Sequence, residues 1–156
     1  MNRYKRRIEQ LKFIASMFRM AMEEMDKVFG PESIRTIFRL IGERQGEQLE
    51  KQMKKKLNID TWTPEKFAKA LIEEIIDPAI GTDQSHIEKK GDELIVNIRT
   101  CPFKRAGIDI KNKFYCTYTE GLIETAAKCA LGDVAFNTED LISTKKTCCI
   151  FKIKLN

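Results

Sequence analysis

The first half of the chain places its apolar residues at steps of three and four. Ile8, Leu11, Ile14, Ala15, Phe18, Ala21, Met22, Met25 and Phe29 recur at helical spacing, which predicts one long helix from about Lys5 to Phe29. Phe13, Met17 and Met20 widen its apolar stripe, so more than one neighbour is expected against it: another helix, a second subunit or a bound apolar molecule. The methionines suit either a filled core or a pocket that accepts varied shapes. Gly30-Pro31 closes this helix and opens a second, from about Glu32 to Lys56, with Ile34, Ile37, Phe38, Ile41, Leu49 and Met53 facing inward. Gly42 and Gly46 each cost about 1 kcal/mol relative to Ala inside a helix. They mark a face where another backbone comes close, within the chain or across a dimer contact.

After a connection carrying Trp62, Thr63-Pro64-Glu65 supplies the N-cap, first position and acidic first turn of a third helix. Phe67, Ala70, Leu71, Ile75 and Ile76 form its buried side, Trp62 anchors its start, and Asp77-Pro78 is expected to stop it. Beyond that point the period becomes alternating. Ile87, a turn at Lys90-Gly91-Asp92, and Leu94, Val96 and Ile98 set against Ile95, Asn97 and Arg99 predict a hairpin. Ala106-Gly107 turns the chain toward Phe114-Tyr115-Cys116, and a helix from about Thr117 to Ala130 holds Gly121 in its first turns. Strands follow at Val134 to Asn137 and Cys148 to Leu155. In the last strand Cys149, Phe151, Ile153 and Leu155 share one face, with Cys148, Ile150, Lys152 and Lys154 on the other. The expected fold is α+β: one domain over residues 1–156, with helices over about 5–77 packed on a small antiparallel sheet with an inserted helix over about 85–156.

Composition narrows the function classes. A length of 156 residues suits one domain with a real core. Five cysteines, an odd number without disulfide-framework spacing or a leader before them, point to free thiols or metal ligands in a reducing, cytoplasmic setting. No apolar run approaches the roughly 20 residues that cross a bilayer. The net charge of +5 is spread among 28 basic and 23 acidic residues, with local clusters at Arg3, Lys5, Arg6 and Arg7 and at Lys51, Lys54, Lys55 and Lys56. Neither cluster carries interleaved aromatics, a helix-turn-helix pattern or zinc-finger spacing, which weighs against nucleic-acid binding. A charged fraction of 33% suits a heat-adapted organism. The sole histidine, His86, has no partner identifiable in the sequence and reads as structural or exposed.

All five cysteines lie between Cys101 and Leu155, together with Glu139, and this stretch admits either a metal-thiolate site or an apolar pocket. The helical first half, the hairpin, Phe114-Tyr115-Cys116 leading into a helix with Gly121, and the ending Cys149-Ile150-Phe151-Lys152-Ile153 resemble the 4-vinyl reductase domain, best over Arg99 to Asn156. That family's fold is similar to small subunits of the TRAPP vesicle-tethering complex. The resemblance implies zinc held by Cys116, Glu139 and Cys149. Ile142 stands where the family has a further cysteine, so Cys101, Cys148 or water would have to complete the four donors of a structural zinc site. It also implies a small hydrophobic or aromatic ligand held between helices and sheet. Val96, Ile98, Phe103, Phe114 and Tyr118 are available to line such a site, with Tyr118 and Arg99 to orient a polar group, although the same residues would equally fill a core.

Three functions follow. The first is a homodimeric sensor or carrier of an apolar compound. The second is an enzyme that reduces a vinyl group or uses the Cys116 thiol at a helix N-terminus, against which stands the lack of a Gly-rich nucleotide loop. The third is an assembly scaffold.

Overall fold

A computed structural model describes residues 2–111 and 114–156. The chain divides into two compact units, Met1–Ile34 and Arg35–Asn156. The first consists of helix α1 (Arg3–Phe29) and the opening turn of α2 (Pro31–Lys56). Asn2 caps α1 through its side-chain oxygen, which accepts from the Tyr4 N–H, and Gly30 closes it at φ +78°. Both helices start within two residues of the positions that the apolar period and the Gly30-Pro31 signal predict.

The second unit contains the rest of α2, α3 (Pro64–Ala70), α4 (Asp77–Ile80), α5 (Pro102–Arg105), α6 (Phe114–Leu131) and four strands: β1 (Ser85–Lys90), β2 (Glu93–Ile98), β3 (Val134–Asp140) and β4 (Cys149–Leu155). Thr63 caps α3 through its hydroxyl, which accepts from the Lys66 N–H. The third helix does not stop at Asp77-Pro78. Leu71–Ile76 widens into a π-helical turn, the Asp77 N–H reaches the Ile72 carbonyl, and α4 carries the helix on to Gly81. Pro78 lies at the start of α4, where a missing N–H is tolerated.

The strands form one antiparallel sheet in the order β1-β2-β4-β3. Leu94 faces Ile153, Val96 faces Phe151 and Ile98 faces Cys149 across β2 and β4, which puts the apolar residues of both strands on one side. Phe136 of β3 stacks on Phe151 at 5.8 Å. Phe67 and Leu71, the inner face of the sheet, and Ile123, Ala126 and Ala127 of α6 make one continuous core. Trp62 joins it edge-on to Phe67, and its ring N–H donates to the buried Glu50 carboxylate at 2.7 Å.

The paired glycines of α2 serve this unit internally. A Cβ at Gly42 would collide with the carbonyl oxygen of Tyr118, and one at Gly46 with that of Leu122. Conversely, a Cβ at Gly121 would lie 2.6 Å from the Arg39 carbonyl oxygen. The helices α2 and α6 therefore cross with their backbones in contact, and each supplies the missing side chains where the other passes. Arg39 of α2 spans the crossing to Glu124 of α6 and is braced by Glu43 of its own helix at 2.8 Å. Burial works against ionisation of Glu124, yet hydrogen bonds from Lys128 and Arg39 outweigh it and hold the carboxyl below its ordinary range.

Candidate functional site

The N-terminal end of α6 gathers aromatic rings from three separate segments. Tyr115 stacks on Phe103 of α5 at 4.4 Å and meets Phe38 of α2 edge-on at 5.2 Å. Phe38 also stacks on Phe114 at 6.2 Å, and Phe103 touches Tyr118 edge-on at 6.5 Å. Phe38, Phe114 and Tyr115 are buried, whereas Phe103 and Tyr118 are half-buried and form the accessible side of the cluster. Burial raises the Tyr118 phenol above its ordinary value, so it is a neutral hydroxyl at physiological pH.

Thiols lie against the same end. The Cys116 thiol donates to the Ser143 hydroxyl at 3.2 Å, and the Ile142 N–H donates to the Cys149 sulfur at 3.3 Å. Both cysteines are thus fixed to one short 3-10 turn, Ile142–Thr144, between β3 and β4. Burial pushes the Cys149 thiol up to about 11 from 9.0; the Ile142 N–H opposes this, while the neighbouring Cys116, Cys101 and Cys148 reinforce it. Four of the five cysteines therefore share one neighbourhood. Cys129 stands apart, exposed near the other end of α6, with its thiol raised by partial burial and by Glu50 and Glu47.

The residues picked out in the sequence divide accordingly. Val96 and Ile98 lie in the central core, Phe103 and Phe114 in the aromatic cluster, and Tyr118 packs against the core while touching Phe103. Cys149 packs against the core on the inner side of β4, as the alternation predicts. Cys116 and Cys149 meet the same turn, but Glu139 is exposed and its carboxylate pairs with Lys152 at 3.0 Å. That pairing lies on the side of the sheet away from Phe136 and Phe151, because Glu139 and Lys152 alternate with the core-facing residues of their strands. Among the described residues no group of three or more His, Cys, Asp or Glu side chains is arranged to hold a metal ion. Cys116, Glu139 and Cys149 as they stand do not fit a zinc site. Arg99 and His86 are exposed.

Sequence reasoning placed Phe38 on an inner helical face and Tyr115 beside Cys116 but assigned neither to the site. Ser143 was also missed. No local pattern marks these residues, since Phe38 reaches the cluster from a helix far away in the chain.

Among the described residues no helix is long and apolar enough to cross a membrane. No curated protein matches the chain. Among solved structures, a trafficking protein particle complex subunit 3 from Naegleria fowleri, determined covalently bound to palmitic acid, is similar at a TM-score of 0.66 and 14% identity, over 93% of this chain and 96% of that one. The fold is α+β and like that of a TRAPP subunit. The family model described as methanogen output domain 1 matches residues 17–154, and the chain belongs to that family.

Proposed function

We propose that this domain binds a small apolar molecule at the aromatic and thiol-lined end of α6, and that it acts as a homodimeric sensor or carrier in the cytoplasm, akin to the 4-vinyl reductase domains. The observation that carries the reading is the convergence of Phe38, Phe103, Phe114, Tyr115 and Tyr118 from three segments, with two of the rings left half-buried. Aliphatic residues with Trp62, Phe67 and Phe151 fill the core beneath the sheet, and of the clustered rings only Tyr118 packs against it. A separate aromatic cluster with an accessible side is suited to an apolar guest, which rings hold by stacking and edge contacts.

The palmitic acid bound to the trafficking-complex subunit supports the chemical class, a long hydrocarbon tail. Cys149 is a poor nucleophile at neutral pH because its thiol is raised to about 11. The enzymatic alternative rests instead on Cys116, whose thiol donates to the Ser143 hydroxyl at 3.2 Å. Zinc has no part in the proposal, since Glu139 is engaged by Lys152 away from the thiols.

The test is equilibrium binding of a fluorescent apolar probe, displaced by palmitate. Phe103→Ala and Tyr118→Ala should each weaken binding about tenfold, as expected for anchoring aromatics. The Cys129→Ser variant, altered away from the cluster, should bind as the unmodified protein does. Failure of palmitate to displace the probe, or equal affinity in all variants, would remove the proposal.

A further inference from the structure

Nine of the twelve residues from Leu11 to Met22 are apolar, and this block occupies the middle of α1. Leu11 is 65% exposed, Phe13 73%, Ile14 53%, Met17 55%, Phe18 45% and Met20 53%. At 3.6 residues per turn these side chains spread over about half of the helix circumference, opposite Lys12, Ser16 and Arg19, which is a stripe wider than one neighbour covers. A broad apolar stripe is normally buried against a neighbour, and an isolated helix gains little stability from its backbone alone. The middle of α1 therefore calls for a partner.

The ends of the helix specify which partner. Arg3, Lys5, Arg6 and Arg7 give one end a concentrated positive charge, while Glu23, Glu24 and Asp26, offset in part by Lys27, which pairs with Glu24 at 2.6 Å, give the other a net negative one. Between them, at the helix midpoint, the small residue Ala15 stands at the edge of the apolar stripe. From these features we infer that α1 pairs antiparallel with α1 of a second copy, crossing near the helix midpoint, so that each basic end lies beside the other copy's acidic end. The pairing is self-complementary, as a two-fold interface must be. A parallel pair would set like charges together at both ends.

The area is adequate. A helix of 27 residues is about 40 Å long, and covering a third of its side removes roughly 600 Å² per copy. That approaches the ~800 Å² per partner of ordinary stable interfaces. An anionic membrane is the other conceivable cover for a basic, apolar helix, but the acidic cluster at Glu23–Asp26 would be repelled by it. This inference rests on the homodimer of the proposed function and gives it a specific surface.

Sedimentation equilibrium of the whole chain tests it, alongside co-sedimentation with vesicles containing phosphatidylserine. The protein should be a dimer that does not pellet with the vesicles. Phe13→Glu with Met17→Glu should make it monomeric while its far-UV circular dichroism and melting of the second unit are retained. Reversing the basic end (Arg3→Glu, Arg6→Glu, Arg7→Glu) should raise the dimer dissociation constant about tenfold at low salt, as should Glu23→Lys with Glu24→Lys alone. The combined reversal should restore the original affinity.

A dimer indifferent to all these changes would overturn the α1 pairing and leave the homodimer standing on another face. A monomer, with or without vesicle binding, would overturn both. Probe binding by the monomeric variant, measured separately, reports whether the apolar-ligand reading survives either outcome.

Discussion

Helices α6 and α1 are both rich in apolar residues, and their surroundings differ sharply. On α6, Ile123 is 1% exposed, and Ala126 and Ala127 are fully buried. On α1, Phe13 and Leu11 are largely exposed. The difference lies in shape more than in hydrophobicity. Gly42, Gly46 and Gly121 let α2 and α6 approach to backbone contact, and small Ala residues let α6 lie flat on the core. The middle of α1 carries Phe, Met, Ile and Leu over about half of its circumference, with only Ala15 and Ala21 as small residues on that side. An apolar pattern states that a surface needs a cover. Complementary shape determines whether the chain itself supplies it.

The sharpest way to break this contrast is to make the same kind of deletion in both regions. Phe151→Ala, in the core of the sheet, should cost about 3–5 kcal/mol of unfolding free energy. Phe13→Ala, on exposed α1, should change the stability of the dissociated chain by no more than about 0.5 kcal/mol. Urea unfolding at concentrations below dimer formation reads both, and equal losses would abolish the distinction. A smaller effect sharpens it at the helix crossing. Gly42→Ala gains about 1 kcal/mol in helix propensity. The added methyl must displace the Tyr118 backbone, so the net change should be a destabilisation of about 1–3 kcal/mol. A stabilised Gly42→Ala protein would show that the crossing is looser than the geometry requires.

A further effect concerns pH. The folded protein raises the Cys149 thiol from 9.0 to about 11, so its contribution to stability is fully present below pH 9.0. As pH rises the unfolded chain loses the thiol proton first, and that contribution is lost on passing through about pH 11. Melting temperatures of the protein and of Cys149→Ala, compared from pH 8 to 11, should converge as pH rises; curves that stay parallel would remove the buried thiol from the account.

Much of the fold was legible in the sequence. The three- and four-residue period gave the long helices to within a few residues, and alternation gave the hairpin and the inward direction of Cys149. Glycine spacing announced a close helix crossing but not its partner, because Tyr118 and Leu122 lie some 76 positions away from Gly42 and Gly46 (118 − 42 = 76 and 122 − 46 = 76). Pro78 misled because proline ends a helix only when it falls inside a regular turn, and here a π-helical turn precedes it. The short helix at Pro102–Arg105 and the 3-10 turn at Ile142–Thr144 lack the length for any period to show.

At the site, the residues around Phe114 could be named because they are adjacent in sequence. Phe38 and Ser143 could not, since only the folded chain brings them to Tyr115 and Cys116. Glu139 illustrates a converse limit. Its identity suited a ligand set, but strand alternation and the Lys152 ammonium hold it on the far face.

The central claim, that the aromatic end of α6 receives an apolar guest, is tested most directly by native mass spectrometry of the purified chain, followed by the same sample denatured. The account predicts a dimer carrying an organic mass that is depleted in Phe103→Ala and, if held without a covalent bond, is released on unfolding. A bare chain that takes up no palmitate when supplied with it would contradict the account and leave the rings as core.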